Sequence, residues 1–201
     1  YGDLKTHFDA LLNRSDITTA LTEQFLNDGI ARIQRSLRTP MQEKILTVSI
    51  TSATTSLTLP ADFLETISLY FDQYELQRVP MKRFRELNKS TYTGNPMFFT
   101  REGPNFLLFP QPASGTLVLY YYAEMPALVN AADETPMTQV ASNLIIYAAL
   151  TFASDYYLDE RGELFEAKYN QLLLEHQEMA NDQEMNGSTQ VIQPSYSYSD
   201  Y

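Results

Sequence analysis

The sequence predicts an α+β protein in which N- and C-terminal helices form one bundle, with an antiparallel β domain inserted between them and an extended tail at the end. Apolar residues recur every three or four positions before residue 40 and after residue 126, as in amphipathic helices. Between residues 41 and 126 they alternate with polar residues, which is typical of half-buried strands. Gly, Ser, Gln and Pro dominate residues 183–201, and such a composition cannot build a core.

Two helices are predicted in residues 1–40. The first covers residues 3–13, and its apolar face contains Leu4, Phe8, Leu11 and Leu12. The second has N-cap candidates at residues 16–19 and runs to about Arg38, before Pro40 ends it. Its apolar stripe contains Leu21, Phe25, Leu26, Ile30, Ile33 and Leu37. The spacing predicts that both helices bury one face.

The β domain is predicted over residues 41–126. Period-two alternation places strands at residues 46–50, 56–59 and 67–71, where Ile67, Leu69 and Phe71 share one face. A short basic helix around Phe84 follows. Three further β-rich runs, at 97–100, 105–109 and 116–122, are separated by Gly- and Pro-containing turns. Turn residues at these positions predict that the three runs form an antiparallel meander.

The C-terminal helices are predicted over residues 127–182, with a break around residues 158–160. An apolar stripe before the break contains Val140, Leu144, Tyr147 and Leu150. A second stripe after it contains Phe165, Tyr169, Leu172, His176 and Met179, and its 4, 3, 4, 3 spacing indicates a seam that packs on another helix. Neither helical pair can bury its stripe alone, so we expect the two ends to pack together with the β domain protruding.

Composition and motifs point away from catalysis. The chain has no cysteine and only two histidines, which excludes disulfides and thiol nucleophiles and argues against a His-rich metal site. It contains no phosphate-binding glycine loop, nucleophile elbow or zinc-protease motif. It has two carboxylate pairs, Asp159 with Glu160 and Asp62 with Glu65, but nothing in the sequence marks either pair as a general acid and base. No apolar run reaches the ~20 residues of a membrane span, and the first residues lack the features of a signal peptide. We therefore expect no enzyme activity, no cofactor and no membrane association.

The net charge of −11 is concentrated in the last third of the chain. Residues 131–201 carry 2 basic and 12 acidic residues, whereas residues 1–130 are close to neutral. Such a surface repels phosphate backbones. Two interpretations remain open: a solvated helix face, or a surface that meets basic neighbours or lines a channel through which DNA slides.

Basic residues occur in two runs. One lies on the second helix and contains Arg32, Arg35 and Arg38, and the other lies beside the β region and contains Lys82, Arg83 and Arg85. The second run could meet nucleic acid, but no aromatic residues are interleaved with it at a stacking spacing, so the signal for nucleic-acid binding is weak.

Several blocks of sequence, in this order, resemble those of a known family. They include NRSDIT near the N-terminus, LPADFLE at residues 59–65, LLFPQP and LVLYYYAEMP between residues 107 and 126, and SNLIIYAAL in the first C-terminal helix. Over roughly residues 1–180 the chain resembles tailed-phage head-to-tail adaptor proteins, also called connectors.

The resemblance implies a structural subunit of the virion neck or tail, assembled in the host cytoplasm. Such subunits form a ring, usually dodecameric, that docks under the portal protein, extends the DNA channel and carries other tail proteins such as a nozzle or fibres. Double-stranded DNA would pass through the lumen without sequence-specific binding. Neighbouring copies would meet through residues of the basic run and the acidic helices: Arg32, Arg35, Arg38, Glu163 and Glu166. The C-terminal tail would bind the portal, with these residues as anchors: Val191, Ile192, Tyr196, Tyr198 and Tyr201.

A second function class stays open from the sequence. The β region could serve a tail-associated receptor- or carbohydrate-binding module, with Phe98, Phe99, Tyr120 and Tyr122 stacking on sugars. Because residues 120–122 are consecutive tyrosines in a strand, at least one must point inward, so core packing explains these aromatics equally well.

Overall fold

The computed structural model describes residues 1–52, 54, 56–89 and 92–185, with side chains to residue 182. Its helices are α1 (Gly2–Leu12), α2 (Thr19–Ser36), α3 (Met81–Leu87), α4 (Pro136–Val140), α5 (Ser142–Tyr157) and α6 (Gly162–Met185). Its strands are β1 (Glu43–Thr51), β2 (Ser56–Thr58), β3 (Phe63–Phe71), β4 (Tyr74–Glu75), β5 (Gln77–Arg78), β6 (Phe98–Glu102), β7 (Asn105–Phe109) and β8 (Ser114–Ala123). The predicted α+β class is confirmed.

The helices from the two ends of the chain share one core, which we call the helical body. It joins α1, α2, α4, α5 and α6, and its fully buried side chains include Phe8, Leu26, Ile33, Leu144 and Leu150. The predicted packing of the two ends against each other is therefore confirmed. None of the helices in the described part is long and apolar enough to cross a membrane.

Small residues set the distance between α2 and α5. A Cβ atom added to Gly29 would lie 2.8 Å from the backbone nitrogen of Ala149, closer than real Cβ atoms approach. Ala148 and Ala149 face it and are fully buried. Gly29 on α2 and the two alanines on α5 thus let the two helix backbones approach closely.

The β domain has a separate core between two four-stranded sheets. The first sheet has the order β1-β8-β3-β4 and the second β2-β7-β6-β5. Their facing side chains include Leu69, Phe71, Phe106 and Leu119, all essentially buried. The pairs are antiparallel except β5 with β6. Helix α3 covers the outer side of the second sheet, where the rings of Phe84 and Phe109 meet edge to face at 6.3 Å.

The predicted meander is wrong in its second half. β6 and β7 form the expected hairpin, but β8 pairs with β1 and β3 in the other sheet. The turn between β7 and β8 contains Pro110 and Pro112, which have no N–H to extend the ladder past β7. The ten-residue β8 instead matches the nine-residue strands β1 and β3, which flank it on both sides.

Two side chains of the predicted apolar stripes lie elsewhere than expected. Ile67 is 43% exposed because the register of β3 against β8 shifts between Thr66 and Ser68, so it lies in an irregularity of the ladder. Val140 is half exposed because α4 ends there, and the buried stripe begins with Leu144 on α5.

The predicted break between the C-terminal helices is confirmed. Leu158 has a left-handed backbone conformation, with φ of 53°, and ends α5. The seam on α6 is buried at Phe165 and Tyr169 and becomes more exposed toward Met179, since the 24-residue α6 is longer than the 16-residue α5 on which it packs.

Candidate functional site

Three of the four carboxylates noted in the sequence serve the fold rather than a metal or acid–base site in the part that the structure describes. Within the described residues, no group of three or more His, Cys, Asp or Glu side chains is placed to hold a metal ion. Asp62 accepts hydrogen bonds from Lys44, at 2.7 Å, and from the Tyr121 hydroxyl, at 3.1 Å. The bond from Lys44 lowers the pKa of Asp62. The two carboxylate pairs noted in the sequence thus take part in ion pairs: Glu65 contacts Arg38, and Asp159 contacts Arg161.

Arg32 is held within the chain. Its guanidinium donates to both carboxylate oxygens of Glu166, at 2.6 and 2.9 Å, and to the hydroxyl of Thr151. It also lies over the ring of Tyr169, 4.1 Å from the centroid. The hydrogen bond from Arg32 lowers the pKa of Glu166. The pair therefore joins α2 to α6, and two residues predicted to meet a neighbouring copy contact each other.

The other predicted inter-subunit residues differ in their surroundings. Arg38 donates to the carbonyl oxygens of Gln34 and Leu37 at the end of α2 and to Glu65 on β3. It thus satisfies helix-end carbonyls and joins the helical body to the β domain. Arg35 is exposed and, among the described residues, bonds only the Ala31 carbonyl within α2, and Glu163 is exposed on α6.

An open groove runs between α2, α5 and α6 beside these residues. Its charged lining includes Arg35, Asp155, Glu160 and Glu163, besides the Arg32–Glu166 pair. The groove is acidic because the three carboxylates of Asp155, Glu160 and Glu163 outnumber the one guanidinium, that of Arg35, that has no carboxylate partner among the described residues. The groove thus has the charge to accept a basic side chain of another molecule.

A second intramolecular clamp was not predicted from the sequence. Asp159, in the α5–α6 turn, accepts bonds from the backbone N–H and the guanidinium of Arg161. These bonds lower the pKa of Asp159 to about 2. The guanidinium also donates to the carbonyl oxygens of Leu11 and Leu12 at the end of α1. The Asp159–Arg161 pair could have been predicted, because an Asp lies two residues before an Arg at the start of a helix. The contact of Arg161 with α1 could not, because its partners are about 150 residues away in the sequence.

The basic residues around α3 contrast with those of the helical body. Between residues 78 and 101 there are six basic residues and one acidic residue, a balance of +5 in a chain of −11. Arg83 forms a 3.3 Å pair with Glu86, and Arg101 donates to the Gly103 carbonyl. In the described part of the chain no carboxylate contacts the remaining four, all exposed: Arg78, Lys82, Arg85 and Lys89.

The aromatic residues proposed to stack on sugars are divided between core and surface. Phe99 is 2% exposed and packs on Phe106, with ring centroids 5.0 Å apart. Tyr120 lies on the outer face of the first sheet, where its ring meets that of Tyr70 edge to face at 5.9 Å. Phe98 and Tyr122 are half-buried. Phe99 therefore serves the β core, and the aromatic surface that the sheet presents centres on Tyr70 and Tyr120.

The residues proposed to bind the portal lie outside the described residues: Val191, Ile192, Tyr196, Tyr198 and Tyr201. The assignment stays a prediction.

A family model described as SU10 adaptor protein matches residues 1–193. No curated protein matches the chain.

Proposed function

The chain belongs to the SU10 adaptor protein family, a family of phage head-to-tail adaptors, and from this premise we propose that it assembles as a ring under the portal, extends the DNA channel and joins the capsid vertex to the tail. The match over nearly the whole chain is the observation that carries the proposal. The ring would be a dodecamer, and the virion neck would be its location.

The surface of the helical body supports a role in assembly. Leu158 projects from the α5–α6 turn with 89% of its surface exposed, and Leu164 and Leu174 on α6 are more than half exposed. Large apolar side chains at a surface suit contacts with other proteins. The acidic groove beside Arg35 and Glu163 suits a basic side chain of a neighbouring copy. Arg32, Arg38 and Glu166 would support such a contact indirectly, by fixing α2 and α6.

The acidic C-terminal third also suits a DNA channel. Residues 131–201 have a balance of −10, which repels phosphate and prevents tight binding of passing DNA. We assign no sequence-specific DNA contact to it. Nozzle or fibre proteins would attach to the ring from outside.

The tail, residues 183–201, would dock on the portal through Val191, Ile192 and its tyrosines. Ordering such a segment costs conformational entropy, so docking requires a partner that supplies compensating contacts. Ring assembly would then be templated by the portal. Stable rings of the purified chain without portal would contradict templating, and unchanged portal binding after deletion of residues 183–201 would exclude the docking role.

Electron microscopy of the chain mixed with the portal protein of the same phage tests the main proposal. We expect a ring coaxial with the portal. Absence of any complex at micromolar concentrations would refute the proposed function.

The alternative, a receptor- or carbohydrate-binding module, rests on the outer face of the first sheet. Tyr70 and Tyr120 meet there edge to face, with an interplanar angle of 79°. A glycan array probed with the chain tests it, and specific hits abolished by Tyr120→Ser would support it.

A further inference from the structure

The unpaired cations of α3 form an ordered stripe on the helix surface. Phe84 points inward and is buried against the second sheet, which orients the opposite face of α3 to the outside. Lys82 and Arg85 lie on that face, and Lys89 follows in the turn after the helix. Lys82 and Arg85 are one helical turn apart and align along one side of α3, and Lys89 lies two residues beyond the end of the helix at Leu87.

Several cations of the helical body are neutralised within the chain. In the helical body Lys5, Arg32 and Arg161 each bind a carboxylate of the same chain at 2.6 Å. The stripe on α3 has no such partner among the described residues, although the protein as a whole carries an excess of acidic residues. A cluster of like charges is destabilising unless an anionic partner meets it. The stripe therefore fits a surface for an acidic molecule.

A complementary stripe occurs on α6. Glu175, Glu178 and Asp182 are exposed, and they follow the same spacing of three and four residues. No Lys or Arg of the described part contacts them, and only Gln171 donates to Glu175, at 2.9 Å. Each stripe thus offers three charges at the same sequence spacing, and the three carboxylates all lie on α6.

The position of the acidic stripe is also suitable. Gln177 donates to the carbonyl oxygen of Ser36, at the end of α2, and Ala180 is buried. The last turns of α6 therefore contact the short turn Pro40–Gln42, from which the β domain begins. The acidic stripe thus lies at the junction of the helical body with the domain that carries α3.

We propose that the basic stripe Lys82, Arg85 and Lys89 of one copy docks on the acidic stripe Glu175, Glu178 and Asp182 of the next copy. The proposal rests on the ring function proposed above and names one of its contacts. A surface that meets a different surface of the next subunit is a head-to-tail contact, and such contacts form a ring when the rotation between neighbouring copies closes. Interhelical charge pairs of this type fix the choice and orientation of partners.

The energetics suit assembly on a template. An exposed ion pair contributes little by itself, and salt screens it. Three pairs would leave free chains weakly associated, whereas copies held side by side on a portal would gain from their high effective concentration. Contact between copies should weaken as ionic strength rises from about 0.1 M to about 1 M, where the screening length falls from about 10 Å to about 3 Å.

Complementary charge reversal tests the proposal. One variant carries Lys82→Glu, Arg85→Glu and Lys89→Glu, and the other carries Glu175→Lys, Glu178→Lys and Asp182→Lys. Each is mixed with portal rings of the same phage, alone and as an equal mixture, and the number of copies per portal is measured by native mass spectrometry. We expect each variant alone to need at least about tenfold more protein than the unmodified chain to reach the same number of copies per portal. The mixture should restore the ring, since each reversed stripe then finds an opposite one.

Net charge alone cannot produce this result. Three reversals change the net charge by six, so the first variant is more acidic than the unmodified chain and the second is less acidic. General repulsion would weaken only the first. Recovery in the mixture also shows that both variants are folded.

The outcomes separate the two levels of the proposal. Failure of the unmodified chain to bind the portal overturns the proposed function, and this inference with it. Normal rings from both reversed variants overturn the inference alone. If the variant with Lys82→Glu, Arg85→Glu and Lys89→Glu forms normal rings but binds a short DNA duplex more weakly, the basic stripe is assigned to nucleic acid instead.

Discussion

In the helical body Lys5, Arg14, Arg32 and Arg161 each bind a carboxylate of the same chain, whereas Lys82, Arg85 and Lys89 on the β domain bind none among the described residues. In the body Lys5 and Arg32 join helix to helix and Arg161 joins the α5–α6 turn to α1, so these cations serve the fold, whereas Arg35 bonds within α2. On the β domain the apolar side of α3 serves the fold, and its cations are available to other molecules. The paired cations of the body and the three unpaired cations at α3 thus have different roles, although the β domain also has the paired cations Lys44 and Arg83.

The two regions also have separate cores. No side chain belongs to both clusters of buried residues, and two chain segments, leading into β1 and out of β8, connect them. Arg38 bridges the junction by an ion pair with Glu65. The regions are therefore expected to respond separately to damage in either core.

The largest expected effect comes from Phe106→Ala in the β core. Phe106 is fully buried and packs against Phe63 and Phe99, so its loss should reduce the stability of the β domain by about 3–5 kcal/mol. Hydrogen exchange measured by mass spectrometry should show lost protection in β6, β7 and β8 with α5 unchanged. Leu144→Ala is the matched control, with the reverse pattern. Equal loss of protection in both regions would show that they unfold as one unit.

The next effect is expected for Gly29→Ala. In an exposed helix position this substitution stabilises by about 1 kcal/mol, but here the added Cβ would lie 2.8 Å from the Ala149 backbone. The helices must separate, and we expect a net loss of about 1–3 kcal/mol in urea unfolding. Asn27→Ala, at an exposed position of the same helix, should instead be neutral or slightly stabilising. A gain in stability at Gly29 would show that α2 and α5 have room to move.

Much of the helical body could be predicted from the sequence because its signals are local. The apolar period located α1, α2 and the two C-terminal helices, and the break at residues 158–160 was visible as a cluster of residues that interrupts the stripe. The pairing of Arg32 with Glu166 spans 134 residues, and no local spacing encodes it. The same holds for Arg161, whose partners at Leu11 and Leu12 lie at the other end of the chain.

The β domain was predictable in its strands but not in its topology. Alternation shows which face of β8 is apolar, but it does not show whether β7 or β1 lies beside it. Tyr120 pairs with Ile45 and Ser68, more than 50 residues away. The basic stripe was visible in the sequence, yet only the structure shows that its cations lack partners among the described residues while Arg32 and Arg38 have them.

A smaller effect, with a defined pH dependence, is expected for Asp159→Asn in the helical body. Bonds from Arg161 lower the pKa of Asp159 to about 2, so the folded state favours the charged carboxylate. The stabilisation is complete above the ordinary Asp pKa of about 3.9 and is lost as pH falls through the folded value. Near pH 7 the substitution should cost about 1–2 kcal/mol, because the partner Arg161 is partly exposed. Urea unfolding should show the difference shrinking below about pH 4. A difference independent of pH would mean that the side chain acts by shape alone.

The smallest effect is expected for the combined substitution Lys82→Gln, Arg85→Gln and Lys89→Gln. These side chains are exposed and bind no carboxylate in the described part of the chain, so the free energy of unfolding should change by less than about 0.5 kcal/mol. Any change should be a gain, since it removes repulsion between like charges. Arg32→Gln is the matched comparison in the helical body and should cost about 1 kcal/mol, because it breaks a bidentate pair whose carboxylate is still partly hydrated. Urea unfolding of both variants at low and high salt measures the contrast. A larger loss from the triple substitution than from Arg32→Gln would show that the cations of α3 serve the fold, and the difference between the two regions would disappear.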